Sequence, residues 1–469
     1  MHFTSVQYLV FFLAIYLVYW RLNARRQNIL LLAASYFFYA NWNWRMLGLI
    51  VLVTAADYFN GLRIHRASSQ AQKRFWLTAS VAVNLGILAG FKYFNFFIES
   101  FAALAASTGF AVSFSTLNII LPIGISFYTF RSLSYTIDVY RGRLEPTASL
   151  IDYAAFVSFF PHLAAGPITR AKEFLFQLEK KRSLNGEDME EGLRRFLLGF
   201  FKKAFIADTL GFYVVDKVFA SPADYSSGAL WLGMLAYTVQ IYADFSGYSN
   251  MAIGSARLLG LKLPENFAFP YLSKNVSEFW RRWHITMSGF FRDYVYITLG
   301  GNRKGRARTI FNLAATTLVS GLWHGAGLTF VLWGALHGAY ITIYHLWRGD
   351  KKEAAHQGLF GWFMAWLVTQ LAVGLAWILF RSPNAGVAWI YMKGLVAAPG
   401  VSAIEVPLLV HLAFAAFIAD HFAGWLMERR PTVMTRIPVC LQAVAYAAMI
   451  LFLYHARIEA ANPFIYFQF

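Results

Sequence analysis

The sequence predicts an all-α integral membrane protein that crosses the bilayer many times. Of its 469 residues, 58% are hydrophobic and 14% are charged, whereas about a quarter of the residues in a typical soluble domain are charged. Apolar runs of spanning length recur along the whole chain, with short basic clusters between them. A bilayer accommodates this much apolar surface because lipid is itself an apolar solvent.

The apolar runs predict the helices in chain order. We place spans or half-spans near residues 5–20, 28–41, 45–60, 76–96, 98–118, 119–137, 151–168, 196–218, 228–244, 309–323, 327–347, 359–380, 404–426 and 437–456. Some runs are too short to cross a hydrocarbon core of about 30 Å and must be re-entrant, tilted or interfacial. We therefore expect roughly 10 to 12 transmembrane helices plus re-entrant and interfacial helices, in a single polytopic membrane domain over residues 1–469.

Basic segments set the predicted orientation. Segments 21–27 and 61–75 contain several Arg and Lys residues and no acids, and the aromatic turn 41–44 lies between them. Cytoplasmic loops carry such an excess, so both segments are predicted to face the cytoplasm and 41–44 the outside. The mixed charges of 170–195 predict a short cytoplasmic helical pair, which we interpret as a connection and not as a domain. The net charge of +17 then reflects topology and contact with membrane lipids, and no nucleic-acid partner is predicted.

Two Gly-Pro breaks interrupt the apolar runs, at 121–124 and at 166–167. Inside a membrane, broken backbone is tolerated only where protein buries it or where it lines a water-filled cavity. These breaks therefore suggest a cavity.

The run from Thr309 to Trp347 has no Asp, Glu, Lys or Arg. As one straight helix it would be about 58 Å long, nearly twice the hydrocarbon thickness, so it must break, and 325–327 (Gly-Ala-Gly) is the expected place. His324 sits at that break. An ionisable residue in such a run is a functional candidate, and imidazole suits proton transfer near neutral pH; hydrogen bonding across the helix bundle is the structural alternative.

His337 follows His324 at a distance of thirteen residues. On a straight helix this places the two side chains about 220° apart, so they meet only if the chain bends between them. Gly334 and Gly338 form a small-xxx-small pair that favours close helix packing. We interpret His337 as a structural residue that supports the site.

Segment 277–288 (SEFWRRWHITMS) predicts one amphipathic interfacial helix. Its helical wheel places His284 at the border between the apolar and polar faces. This position alone favours a structural role for His284, in a helix that anchors the protein at the membrane surface. Asp244 ends another apolar run, before hydroxyl residues and a glycine. Its carboxylate could orient a histidine, bind a sugar hydroxyl or cap the next helix.

Several other chemistries find no support in the sequence. There is one cysteine, and no His, Asp or Glu set has metal-ligand spacing, so no metal is predicted. Neither a G-x-S-x-G nucleophile motif nor a phosphate-binding P-loop is present.

The motifs resemble the membrane-bound O-acyltransferase (MBOAT) family, most of all its bacterial branch for polysaccharide O-acetylation. The matching segments include LPIGISFYTFRSLSYTIDVYRG, FVSFFPHLAAGPITR, GFFKKAFIADTL, YADFSGYSNMAIG, SEFWRRWHITMSGFFRDYVYITLGGNRKG, SGLWHGAGLTFVLWGALHG and PFIYFQF. Each is weak alone, but their shared order along most of the chain is specific. The resemblance implies a ring of tilted helices around a thin centre, with funnels from both sides and a core at approximately 119–348.

The resemblance also implies a reaction, the transfer of an acyl group from a thioester to a hydroxyl. It implies acetyl-CoA as a cytoplasmic donor with no tightly bound cofactor, and a bacterial inner-membrane location. The acceptor is an exported polysaccharide such as alginate, reached directly or through a soluble periplasmic esterase-like partner. His324 is the expected catalytic histidine and general base, and His284 is the second polar residue of the site.

Substrate contacts are predicted for a further group of residues near these histidines. They are Asp244, Ser246, Tyr248, Asn250, Trp323, Asn312, Arg281 and Arg282. Relatives often have an acid after the GYS motif, where this chain has Asn250, so the acceptor or a partner contact is expected to differ there.

Two other functions remain open from the sequence. A carrier or flippase for a lipid-linked sugar would also have intramembrane polar residues, although no inverted repeat is visible. A non-catalytic scaffold of a polysaccharide secretion complex would tolerate loss of His324.

Overall fold

The computed structural model describes residues 1–109, 120–349, 358–398, 400–429, 439–456 and 464–465. Most of these residues are helical, and they form no β-strand apart from an isolated bridge between Tyr225 and Ser402. The chain forms two compact units, Met1–Phe196 with Met251–Pro264, and Leu197–Asn250 with Glu265–Phe469. The predicted all-α class is confirmed.

The first unit is built around a long helix, α2, that packs against α3, α5 and α6. Its helices are α1 (Val6–Tyr19), α2 (Ala24–Arg66), α3 (Gln70–Leu88), α4 (Phe94–Ser107), α5 (Ile125–Tyr140), α6 (Leu150–Ser158), α7 (Phe160–Leu163), α8 (Ala171–Leu178) and the larger part of α9 (Gly186–Phe201). The π-helical turn Ala89–Tyr93 joins α3 to α4. Helices α8 and α9 are the helical pair predicted for 170–195.

The second unit contains the α15–α16 hairpin, with α17 packed on α16. Its helices are α10 (Asp208–Leu210), α11 (Asp216–Ala220), most of α12 (Ser227–Leu258), α13 (Val276–Arg282), α14 (Ile285–Phe290), α15 (Arg306–His324), α16 (Leu328–Arg348), α17 (Leu359–Arg381), α18 (Ala385–Gly394), α19 (Leu408–Arg429) and α20 (Val439–Ala456). Short π-helical turns occupy Lys202–Ala207, Gly211–Val215 and Phe291–Tyr296.

Polar side chains set the starts of several helices. The side chain of Ser5 accepts a hydrogen bond from the Tyr8 backbone N–H at 3.2 Å, and that of Asn23 accepts one from Arg26 at 3.0 Å. Each satisfies a backbone donor that the first helical turn leaves without an internal partner. The predicted runs 28–41 and 45–60 share α2, which is kinked at Asn43 (φ −158°, ψ 106°), within the predicted turn 41–44.

Four described segments are long and apolar enough to cross a membrane: Ala24–Arg66, Gln70–Ser107, Leu359–Arg381 and Leu408–Arg429. Large apolar side chains on them are exposed, for example Phe37 on α2 and Phe422 on α19. Lipid is the solvent that suits such a surface. The protein is a multi-pass membrane protein, while the number of crossings and their sidedness stay predictions. Residues 110–118 of the run 98–118, residue 119 and residues 437–438 lie outside the described residues.

The two predicted Gly-Pro breaks pack on each other within the first unit. Gly124 has φ 74°, and a Cβ on it would collide with the carbonyl of Leu163. The buried Arg131 side chain donates from Nη1 to the His162 carbonyl at 3.0 Å and from Nη2 to the Leu163 carbonyl at 3.4 Å. Protein groups therefore satisfy the carbonyls that α7 leaves free, which explains how the broken backbone is tolerated. The suggested cavity stays a prediction.

The break predicted in the run 309–347 is confirmed at 325–327, between α15 and α16. Glycines bring these two helices into backbone contact. A Cβ on Gly334 would lie 2.6 Å from the Thr317 carbonyl oxygen, and one on Gly338 would lie 2.5 Å from Thr317 Oγ1. A Cβ on Gly321 would collide with the backbone carbonyl of Phe330. The predicted small-residue packing is thus confirmed, and it fixes the end of α15.

We expect Gly321→Ala to lower both thermal stability and acyl transfer. The added methyl group must push α15 away from α16, and such overpacking costs about 1–3 kcal/mol. Thermal unfolding in detergent and turnover of the purified variant measure the two effects. Gly86→Ala is the control, because a Cβ there meets nothing within 4 Å; equal behaviour of the two variants would contradict the prediction.

Candidate active site

His324 is the last residue of α15, where the helix breaks. Gly325 follows in an extended conformation (φ −161°, ψ 156°), and a Cβ on it would overlap the Phe330 ring. The glycine is therefore required for the chain to turn at this point. The His324 side chain is buried, and its position follows from the short α15–α16 connection.

Aromatic rings surround the His324 imidazole. Ring centroids lie 4.9 Å from Trp323, 4.9 Å from Trp333 and 5.1 Å from Phe380. Such walls exclude water, which strengthens electrostatic interactions inside a site. A neutral imidazole in this setting can accept a proton from a hydroxyl and later return it.

His284 lies between two short helices and not inside one. Helix α13 ends at Arg282, and His284 has left-handed backbone angles (φ 41°, ψ 55°) before α14 begins at Ile285. The prediction of one amphipathic helix over 277–288 is therefore wrong, and so is the wheel that placed His284 at a polar border. The side chain is fully buried. The left-handed backbone, in which the Ile285 N–H donates to the Asn266 carbonyl at 2.9 Å, aims it inward.

The structure brings His284 and His324 to the same aromatic cluster. The His284 ring centroid lies 5.8 Å from Trp323 and 4.6 Å from Phe245, and Trp323 also contacts His324. A left-handed non-glycine residue is uncommon and is often found at functional sites. Trp323, predicted as a substrate contact, lies between the two histidines.

We expect His284→Asn to retain the fold and to reduce acyl transfer at least tenfold, by analogy with loss of a proton-transfer or binding group. Asparagine tolerates left-handed backbone but lacks the imidazole, so it separates the backbone from the ring. His284→Ala should be less stable than His284→Asn by about 1–2 kcal/mol. Thermal unfolding and turnover distinguish the two contributions; full activity of His284→Asn would assign His284 to structure alone.

His337 lies on α16 and is fully buried. Its ring centroid is 4.7 Å from Trp333 and 5.0 Å from Trp280, and its Nδ1 accepts a hydrogen bond from Trp280 Nε1 at 3.3 Å. Because the chain bends at 325–327, His324 and His337 both contact the Trp333 ring. The bend that the sequence required for the two histidines to meet is therefore present.

Asp244 lies inside the continuous helix α12, so it does not cap a following helix, and that one of its three possible roles is wrong. Its Oδ1 forms an ion pair with Lys203 Nζ at 2.7 Å, and the same nitrogen pairs with Asp208 at 2.8 Å. Asp244 Oδ2 accepts a hydrogen bond from the Ile465 N–H at 2.7 Å. Asp244 thus anchors the described C-terminal residues, and the Phe464 ring packs on Tyr248 at 4.6 Å.

The remaining predicted contacts on α12 are buried along its length. Ser246 is 2% exposed and Asn250 is 8% exposed, so both side chains face protein. The neighbouring Ser249 hydroxyl accepts a hydrogen bond from Asn266 Nδ2 at 3.1 Å. This bond ties α12 to the segment that precedes α13.

Three predicted contacts are not brought to His324. The Arg282 guanidinium pairs with Glu278 at 3.1 Å and with Glu428, and Arg281 is exposed and bonds to Ser277 at 3.1 Å. Asn312 lies three turns before His324 on α15 and donates to the Gly301 carbonyl at 2.8 Å. Asn312 therefore fixes the loop before α15, and its predicted substrate contact stays a prediction.

Two buried lysines were not singled out from the sequence. Lys202 and Lys203 open a π-helical turn; Lys202 pairs with Asp420 at 2.9 Å, and Tyr242 donates to the same carboxylate at 3.0 Å. The signal was present, because two lysines within the predicted span 196–218 are intramembrane cations and functional candidates. Their partners lie as far as 218 residues away in the sequence, so local sequence patterns cannot predict these ion pairs.

The comparisons with known proteins identify the family. Residues 143–378 match the model of the membrane-bound O-acyltransferase family. The chain is 41% identical to the probable alginate O-acetylase of Pseudomonas putida, over 100% of both chains. It is 46% identical to that of Azotobacter vinelandii, over 83% of this chain and 77% of the relative. It is also 38% identical to the peptidoglycan O-acetyltransferase of Helicobacter pylori, over 82% and 78%.

These relatives are enzymes by name, and they match this chain over most of its length. Enzymatic activity is therefore favoured over the carrier and scaffold alternatives. The WHG segment that carries His324 lies within the matched residues. The chain belongs to the membrane-bound O-acyltransferase family and is a multi-pass membrane O-acyltransferase.

Proposed function

We propose that the enzyme transfers an acetyl group from acetyl-CoA, supplied at the cytoplasmic face of a bacterial inner membrane, to hydroxyls of an exported polysaccharide. The polysaccharide is of the alginate class, reached directly or through a soluble periplasmic esterase-like partner. The observation that carries the proposal is the placement of His324 at the α15 break inside an aromatic cluster. Similarity to alginate and peptidoglycan O-acetyltransferases supports the acetyl group and the acceptor class.

His324 acts as the general base in this proposal. A sugar hydroxyl is a poor nucleophile near pH 7, so its proton passes to the imidazole while its oxygen attacks the thioester carbonyl. The new C–O bond forms, the C–S bond breaks, and the proton moves from the imidazolium to the departing thiolate. The products are an O-acetyl ester and free CoA thiol. General-base catalysis of this kind typically contributes about 10²–10⁴-fold to the rate.

Sealed inverted membrane vesicles test the proposal. The vesicles carry alginate oligomers and the periplasmic partner inside, and acetyl-CoA labelled in the acetyl group is added outside. We expect free thiol to appear outside and label to appear on the enclosed polymer, with both absent for His324→Ala. Release of thiol with label on water alone would overturn the acceptor, and no thiol release by wild type would overturn the donor.

A further inference from the structure

The hydrogen bond between Trp280 and His337 fixes where the His337 proton sits. An indole nitrogen can only donate, so His337 Nδ1, which receives the Trp280 N–H at 3.3 Å, carries no proton. The neutral ring therefore carries its proton on Nε2. His337 is held in one tautomer, with Nε2–H as a donor.

That donor has no acceptor in the described part of the chain. His337 is 0% exposed, and no described group forms a hydrogen bond with its Nε2. The neighbouring Trp333 is 1% exposed, and its Nε1–H is also without a partner among the residues described. A buried donor left unsatisfied is destabilising, so two of them side by side call for a physical explanation.

Both donors belong to the cluster that holds His324. The Trp333 ring centroid lies 4.7 Å from His337 and 4.9 Å from His324. Helix α16 carries His337 and Trp333, and Gly334 and Gly338 on the same helix allow it to pack closely against α15. The donors are thus held rigidly beside the imidazole that we assign as the base.

We infer that His337 Nε2–H and Trp333 Nε1–H donate hydrogen bonds to the carbonyl oxygen of the acyl thioester. This inference rests on the acyl transfer proposed above. As the hydroxyl attacks, the carbonyl oxygen gains negative charge, and fixed donors in a water-excluded site stabilise that charge. The two buried N–H groups lack an acceptor, and the carbonyl oxygen of the bound thioester supplies one. That oxygen can accept a hydrogen bond from each of them. His337 is in this view a catalytic residue that never transfers a proton.

Three variants separate donation from proton transfer. His337→Met removes the donor, and Trp333→Phe removes the indole N–H while keeping a ring. In His337→Gln the amide oxygen can accept from Trp280 and the amide nitrogen can donate in place of Nε2, but the group does not titrate. Trp347→Phe is the matched control, because Trp347 lies on the same helix and is 74% exposed. Thermal unfolding reports whether each variant folds.

We expect kcat to fall about 10²–10³-fold in His337→Met and in Trp333→Phe, as for removal of one oxyanion donor. The KM for acetyl-CoA should change much less, since the bonds strengthen in the transition state. His337→Gln should recover to within about tenfold of wild type, with an unchanged pH profile. Wild-type turnover by folded His337→Met or Trp333→Phe would overturn the inference.

A second result would also overturn it. If His337→Gln folds but is as inactive as His337→Met, His337 acts by proton transfer. Should His337→Met fail to fold, Trp333→Phe and His337→Gln decide the matter. Absence of thiol release by wild type would instead refute the proposed function, so the two failures are distinguishable.

Discussion

His324→Ala is expected to abolish acyl transfer while the protein still inserts and folds. The substitution removes the imidazole that accepts the hydroxyl proton, and loss of a general base typically lowers the rate about 10²–10⁴-fold. His284 and His337 belong to the same aromatic cluster, but we do not expect either of them to replace His324 as the proton acceptor. Release of CoA thiol by purified protein, given acetyl-CoA labelled in the acetyl group, measures the effect.

His345→Ala is the matched control for that experiment. His345 lies on α16, the partner helix of the same hairpin, and is exposed. It should turn over like wild type. Equal rates for His324→Ala and His345→Ala would make His324 a structural residue, and the break at the end of α15 would then serve packing alone.

Lys203→Met is expected to destabilise the enzyme more than any surface substitution. Lys203 is 8% exposed and forms ion pairs with two buried carboxylates, Asp208 and Asp244. Methionine keeps the length of the side chain but removes the charge, which leaves both acids buried without that partner. Breaking a buried ion pair from one side costs about 3–5 kcal/mol. The unfolding temperature in detergent should fall accordingly.

A second substitution tests this explanation. Asp244→Asn removes one of the two stranded charges, so adding it to Lys203→Met should recover part of the lost stability, as coupled sites do in double-mutant cycles. Lys262→Met is the control, because Lys262 is exposed. If Lys203→Met unfolds at the temperature of that control, or if the two effects simply add, the pair does not stabilise the fold.

Local sequence signals predicted the features that depend on neighbours in the chain. The break after His324 followed from run length and from Gly325 and Gly327, because a helix of that length would exceed the bilayer. The kink at Asn43 fell within the aromatic turn between two basic segments. The close approach of α15 and α16 followed from Gly334 and Gly338.

Local signals failed where distant residues decide the backbone. The pattern over 277–288 indicated one amphipathic helix, yet the chain turns at His284. The Asn266 carbonyl, eighteen residues before His284 in the sequence, accepts the Ile285 N–H there. Helix propensity is a weak prior that such tertiary contacts override. A helical wheel that assumes one continuous helix therefore assigns the residues after the turn to the wrong face.

The sequence by itself determined that this protein is a helical, multi-pass membrane protein with a histidine at a break in an uncharged run. Composition, run length and glycine spacing are enough for that, because the bilayer imposes a minimum length on each span and forbids unsatisfied backbone. Only the tertiary structure decided that Trp280 fixes the His337 tautomer, that Lys203 joins Asp208 to Asp244, and that Trp333 lies between two histidines. These contacts join residues that are distant in the chain, and buried polar groups find such partners wherever the fold brings them.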